Sequence, residues 1–549
     1  MARPPVIAKD FQKPKVVFQP EVRQGMQRGI NQIINAIRPT LGPLPRTVAI
    51  ERIARTDELP ELLDSGGTIA RRIIQIEGRD EDVGAMFIRH VLWELQEKVG
   101  DGTATAAVMF QSIYNQGVQH IVNSGGNAMR MRTYFERCLP PIFEALNRQT
   151  RHLEGKHQLA QLAATIINDP PLAKMLGEIF DVIGAFGRLE IRQGRSRELE
   201  REYVEGMYWD SGWFSREMMN NPQELRADLE DAWLFISDLE INEPAELMPL
   251  LEMAVNAGVQ RLVIIASTLS DRAMSLLTVN RDKITVLGVK SPEISASKRQ
   301  AALQDLAILT GGTPFFKAAG DTLKNVRPEH LGRARRVWAN RDFFGVIGGR
   351  GDPRRLRQHL SELRKAFSAT SDKEARDLLL TRIGRLMGGS ATLWVGDITP
   401  TAIEQRKELA IRAAEAMRGA MREGVVPGGG IALLACREAI RPYLAQAEDP
   451  DEKAVYRILM RALETPARTL WQNAGFNDIE IMADLRFAPP NFGLDVVKKR
   501  IISMAEAGIW DAATVVKAAV HSAVAGAALA LTTDVIIHRR RPPESMDTA

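Results

Sequence analysis

Three glycine-containing loops stand out in this 549-residue chain, two of them combining glycine with hydroxyl or carboxyl side chains, the residue types that handle phosphate. The first is Thr40-Leu41-Gly42-Pro43. The second, Gly100-Asp101-Gly102-Thr103-Ala104-Thr105, enters a new helical pattern. N–H groups in the first turn of a helix lack intrahelical partners, and with Thr hydroxyls beside them they cradle phosphate oxygens. Asp101 in the same loop repels phosphate unless a cation lies between, a conflict that a bridging Mg2+ resolves. The third loop, Gly424-Val425-Val426-Pro427-Gly428-Gly429-Gly430, opens another helix and admits close approach to the backbone. Taken singly, each loop serves as well as a structural turn.

Other chemistries find little support. There is no GxxxxGKS/T phosphate loop and no HExxH metal motif, and the eight histidines do not cluster. The two cysteines, Cys138 and Cys436, lie far apart, which excludes a disulfide framework or cysteine zinc site and suits a reducing compartment. Net charge is +4 and the isoelectric point near 9.0, without a dense Lys/Arg stripe, so a nucleic-acid partner is not expected. Met1–Pro20 carries no apolar signal core, and the greasiest stretch, Ala523–Leu531, is too short to span a bilayer. The expectation is a cytoplasmic protein with no membrane partner.

The elements that must position the loops follow from periodicity. Val22, Met26, Ile30, Ile33, Ile34 and Ile37 recur at helical spacing, and Pro39 stops that helix. Ala85–Val122 is helical with a break at Gly100–Gly102, and Ile431–Ile537 is mostly helical. The middle differs. Short apolar runs at Trp233–Ser237, Arg261–Ala266 and Ile284–Val289 alternate with helical patterns at Pro244–Ala257 and Asp271–Asn280, which predicts an α/β domain inserted between helical halves. Glycines at its borders, Gly206 and Gly388-Gly389, fit hinges or plain turns. With 45% apolar and 26% charged residues, the chain is an ordinary globular sequence of several domains. The tail from Arg539-Arg540-Arg541-Pro542-Pro543 onward is expected to stay disordered.

Taken together, the loops resemble the group I chaperonins, the GroEL family. That family's TLGP, DGTTTAT and EGVVAGGG segments stand here as Thr40–Pro43, Asp101–Ala107 and Glu423–Gly430. Val204-Glu205-Gly206-Met207, Leu303-Gln304-Asp305-Leu306-Ala307, Leu309-Thr310-Gly311-Gly312 and Gly508-Ile509-Trp510-Asp511 match as well. The resemblance implies a multi-domain α/β chaperonin fold. Its mainly helical equatorial domain takes in 1–148 and 424–549, a small intermediate domain 149–205 and 391–423, and an α/β apical domain 206–390. It also implies an ATP-binding subunit that forms a homo-oligomeric ring, alone or mixed with another chaperonin, and that assists non-native polypeptides with or without a lid co-chaperonin. Thr40, Leu41, Gly42 and Pro43 would contact the nucleotide, Asp101 would hold Mg2+, and Gly102, Thr103 and Thr105 the phosphates. Ile166, Gly428 and Gly429 would line the base and ribose side, with Asp511 bonding the ribose.

The chain departs from the family where water would be activated. A gapless match puts Ser65 at one family aspartate position, with Asp64 one residue earlier, and Arg412 at the other. A guanidinium stays protonated and is no base, yet it pairs well with phosphate. Glu408 and Glu415 lie one turn from Arg412. Ala104 replaces a threonine, and Leu494 and Asp495 stand where the family has Tyr and Asn near the base. Slow or absent hydrolysis is therefore expected, the alternative to an active chaperonin being a non-hydrolysing paralogue that serves as ring partner or peptide scaffold. An unrelated α/β enzyme is a third reading. The family's polypeptide-binding surface would fall on Trp213, Glu217, Met218, Met248, Leu251, Met274, Leu277, Thr278 and Val279, unless these are the core faces of their helices.

Overall fold

The computed structural model describes residues 14–43, 45–51, 60–194, 196–205, 207–220, 226–279, 283–293, 295–370, 372–387 and 389–539. The chain forms two units, Met1–Asp181 with Pro400–Ala549, and Val182–Thr399. The segments 149–205 and 391–423 are divided between them. Gly206, Gly388 and the tail beyond Arg539 lie outside the described residues.

The first unit is a helical bundle. Helix α1 (Glu21–Ile37) buries Val22, Met26, Ile30, Ile33, Ile34 and Ile37 on one face, as their spacing predicts. Pro39 converts its end to a single 3-10 turn, Arg38–Thr40. The short helix α2 (Gly66–Arg72) leads to α3 (Arg79–Val99) and α4 (Thr103–Ser124), separated by Gly100-Asp101-Gly102. Glycine lets α1 and α3 cross closely, since a Cβ at Gly29 would overlap the Glu81 carbonyl oxygen. Then come α5 (Ala128–Gln149), capped by the Asn127 side chain, and α6 (Gly155–Ile166). After the second unit the chain returns as α7 (Pro400–Glu423), strand β1 (Val425–Pro427), α8 (Pro450–Asn473), strand β2 (Trp510–Ala512) and α9 (Ala513–Leu531).

Helix α9 corrects an expectation. It runs 19 residues and is apolar enough to cross a membrane, because the helix begins at Ala513, ten residues before the greasy stretch. Its position explains that composition. It packs against α3, α4 and α5, burying Val516, Val520, Val524 and Leu531 in one core with Phe110, Phe135 and Ile142. A helix surrounded by its own bundle is apolar nearly all round for that reason.

The second unit has a six-stranded mixed sheet ordered Thr285–Lys290, Arg261–Ala266, Ala227–Ile236, Gly332–Ala339, Phe344–Gly349, Met207–Trp209. The first three strands are parallel and joined through helices Pro244–Asn256 and Asp271–Val279, as the alternation predicts. The remaining pairings are antiparallel. Within the same unit, strands Arg188–Gln193, Gly389–Val395 and Glu200–Glu205 make a small separate sheet.

Candidate functional site

The Gly100-Asp101-Gly102 loop is clamped from two sides. Both glycines are left-handed, with φ of +75° and +84°, one closing α3 and the other capping α4. A Cβ on Gly100 would lie 2.8 Å from the Arg412 carbonyl oxygen of α7. One on Gly102 would lie 2.7 Å from Val515 Cγ1 of α9. Asp101, from the N-terminal part of the chain, is thus held between two helices of the C-terminal part.

Burial raises the Asp101 carboxyl, against the opposing pull of the Gly102 backbone bond and the Arg412 charge. The neighbouring Asp511 is pushed up to about 7, by burial first and then by the Asp101 charge. Asp101, Asp511 and Arg412 form one electrostatic cluster. Arg412 itself makes no hydrogen bond or ion pair among the described residues. Glu415 is engaged by Arg418 at 2.6 Å, and Glu408 is exposed and acts on Arg72.

The other two loops join this cluster through shared neighbours. Strands β1 and β2 pair with Val426 opposite Asp511, and Gly428 N–H donates to the Ile509 carbonyl at 3.0 Å. Gly429 and Gly430 adopt φ of +67° and +76°, and a Cβ on Gly430 would be 2.8 Å from the Ala467 nitrogen of α8. The Thr40–Pro43 loop rests on the same helix one turn later. Asn473 Nδ2 donates to the Arg38 and Leu41 carbonyls, and Gly42 faces Leu470. Thr40 is buried, its hydroxyl donating to the Ile37 carbonyl, whereas Pro43 is exposed. Gly66 then links this corner to α4, with Ile37 on one side and Thr103 Oγ1 3.1 Å from its Cβ position. Ile166 ends α6, where Thr165 Oγ1 donates to the Trp510 carbonyl beside Asp511. Thr105 stands in the first turn of α4, half-buried.

Ser65 immediately precedes Gly66 and is 8% exposed, and its Oγ has no hydrogen-bond partner among the described residues. Asp64 is exposed. The offset of one residue therefore separates a buried hydroxyl from a solvent-facing carboxylate. Thr514 Oγ1, three residues past Asp511, is also buried and unpartnered. Leu494 joins Trp471, Met504 and Ile431 in an apolar cluster that Gly429 approaches through Met504. Asp495 is occupied locally, its Oδ1 accepting from Val497 and Lys498 N–H. Sequence reasoning placed Gly100 in the second loop without a role of its own, and it missed Thr514.

In the second unit the expected polypeptide-binding residues separate by burial. Val279 is 80% exposed and Met248 42% exposed, and Met274 is half-buried. Glu217 is exposed and Thr278 half-buried. Trp213, Met218, Leu251 and Leu277 instead belong to the core of the unit. Met218 Sδ accepts from Gly288 N–H, and Trp213 bridges to Val289. For these four the expectation of a contact surface is corrected: they face the sheet and support the helices that carry the exposed residues. Asp305, part of a matched motif without an assigned role, is buried and accepts two bonds from Arg382 at 2.8 Å while 2.7 Å from His359 Nε2.

A model of the TCP-1/cpn60 chaperonin family matches residues 33–541. The chain belongs to that family. This chaperonin is similar in fold to two crystal forms of the chaperonin gp146 from the bacteriophage EL 2 (Pseudomonas aeruginosa), both obtained in the presence of ATP-BeFx. Form I shares 18% identity with a TM-score of 0.68, and form II 19% with a TM-score of 0.61. Each match covers 95% of this chaperonin and 98% of the phage chain. The multi-domain α/β chaperonin fold expected from the motifs is thereby established, and with it the chaperonin class of function.

Proposed function

We propose that this chaperonin subunit binds ATP through the converging loops, assembles into rings and captures non-native polypeptides, with hydrolysis slow or absent. One observation carries the reading. Loops from both chain ends meet around Asp101 and Asp511, and the α7 residue that packs its carbonyl on Gly100 and whose charge acts on Asp101 is Arg412, which cannot serve as a base. The unpaired N–H groups of the first α4 turn, the Thr103 and Ser65 hydroxyls and the Arg412 guanidinium supply donors for phosphate oxygens. The phage chaperonin crystallised with ATP-BeFx supports a nucleotide as the ligand.

A Mg2+ ion fits this donor set as a phosphate-borne ion. Asp101 offers one carboxylate, and among the described residues no group of three or more His, Cys, Asp or Glu forms a dedicated cage. Bound there, the ion would neutralise phosphate charge beside Asp101.

The wider reading assigns 1–148 and 424–549 to an equatorial domain, 149–205 and 391–423 to an intermediate domain and 206–390 to an apical domain. The apical domain would present Val279, Met248 and Met274 to polypeptides or to a lid co-chaperonin in a cytoplasmic setting. Ser65 and Arg412 favour the second reading, a ring partner that holds nucleotide without turning it over. Calorimetric titration of ATP together with phosphate release tests both. Binding with negligible release is expected, and the double variant Ser65→Asp/Arg412→Asp should raise release at least tenfold. Turnover by the unaltered protein at the rate of that double variant would exclude slow hydrolysis.

A further inference from the structure

We infer that the exposed cationic side of the helix Pro353–Ala369 in the second unit docks an acidic segment of another polypeptide. Its residues and chemistry differ from those of the apolar surface at Val279, Met248 and Met274, and the inference needs neither that surface nor the nucleotide site.

In sequence the charges are interrupted, as in Arg354-Arg355-Leu356-Arg357 and Leu363-Arg364-Lys365, so no dense basic run is visible. Helical winding gathers them. At about 3.6 residues per turn, Arg354, Arg357, Ser361, Arg364, Lys365 and Ser368 fall on one side, and all are exposed. The opposite side buries Leu363 and Phe367 with Ile383 and Leu386 of the helix Lys373–Met387. Among the described residues, the side chains of Arg354, Arg355, Arg357 and Lys365 have no ion pair or hydrogen bond. Arg364 lies 5.2 Å over the Phe186 ring and donates to Met387 Sδ, contacts that fix the guanidinium without cancelling its charge. Glu362, the one carboxylate within the helix, sits to the side and accepts from Gln358 at 3.0 Å. Of the acids on adjoining elements, Glu374 pairs with Lys298 and Asp305 with Arg382.

This placement does not serve the helix itself. Arg354 and Arg355 stand in its first turn, where the macrodipole disfavours positive charge, and its last turn, where a cation would be favoured, holds none. Like charges one turn apart also repel. A ligand bearing negative charge relieves both costs. Beside the second half of the helix lies an open cleft of about 500 Å³, lined by Ser361, Arg364, Lys365, Ser368 and Ala369. From Arg354 to Lys365 the helix rises about 16 Å, and carboxylates on alternate residues of an extended chain stand about 7 Å apart, so roughly three meet the row. A single-stranded nucleic acid is the poorer fit. It gains much of its hold by stacking bases on exposed rings, and the ring on this side, Phe186, is already covered by Arg364. Chaperonin function also concerns polypeptides.

The test is fluorescence anisotropy of a labelled peptide with Glu at every second position, titrated with the full-length protein at low salt. That peptide should bind, the same peptide with Gln for Glu should not, and the affinity should fall steeply as salt is raised. The triple variant Arg354→Gln/Arg357→Gln/Lys365→Gln should weaken binding about 5–50-fold, the worth of a few exposed ion pairs. Val279→Ser and excess ATP should leave the affinity unchanged, which separates this surface from the other two sites. Equal binding of the Glu and Gln peptides, or binding of neither, overturns the inference, and those arms need no variant to fold. Unchanged affinity in the triple variant, displacement of the peptide by ATP, or tighter binding of a thymidine oligonucleotide of the same charge overturns it as well.

Discussion

Asn in place of Asp511 should make the nucleotide-free protein more stable at pH 8 and leave it unchanged near pH 4. Burial and the Asp101 charge move the Asp511 carboxyl from 3.8 to about 7. The folded state therefore holds the proton more tightly than the unfolded chain. Between pH 3.8 and about 7 stability falls as pH rises, and above 7 the loss is complete. At about 1.36 kcal/mol per tenfold, that shift amounts to roughly 4 kcal/mol. Solvent reaches part of the group, so about 2–4 kcal/mol is the reasonable expectation. Unfolding entropy near 2.1 cal/mol/K per residue, over the roughly 330 residues of the first unit, converts this to about 3–6 °C. Calorimetric melts of parent and Asp511→Asn, without nucleotide or divalent ions, should coincide near pH 4 and separate steadily to pH 8. A difference independent of pH, or a variant less stable at pH 8, would refute the reasoning.

Gly100→Ala should cost well over the about 1–2 kcal/mol of a left-handed alanine, because its Cβ meets a backbone carbonyl at 2.8 Å. Gly125→Ala, also left-handed but with nothing within 4 Å, should cost only that strain, and comparison of their melting temperatures checks the difference. Asp305→Ala should destabilise the second unit by about 2–4 kcal/mol, since it strands the partly buried Arg382 charge, as denaturant titration would register. Val279→Ser should change stability by less than about 0.5 kcal/mol yet weaken capture of an unfolded protein in an aggregation-suppression assay. Leu277→Ala, 2% exposed, should instead lose about 2–4 kcal/mol of stability.

Helix existence was legible where one face repeats every three to four residues: α1 and the α3–α4 break stand where spacing and glycine place them. The parallel strands were legible as unbroken apolar runs buried on both faces. The antiparallel half of the same sheet was not, because Gly332–Ala339 alternates buried and arginine-bearing positions and lacks an apolar run. Loop chemistry could be read from residue types, but the clamp on Asp101 could not. Its jaws, Arg412 and Val515, sit hundreds of positions away and meet it only through tertiary packing. Composition also failed to separate Val279 from Leu277. Both are apolar residues of one helix, and only its rotation against the sheet decides which is wet.

The bundle that holds Asp101 is assembled from the two extremities of the polypeptide, with Val182–Thr399 between them. During synthesis, the oily sides of α3 and α4 emerge long before α9, which covers them, has been made. At about 5–20 residues per second the wait is on the order of half a minute. Throughout that interval the nascent first segment is itself the kind of sticky, half-finished molecule that chaperones exist to shelter, so its yield in a cell should track the supply of such help.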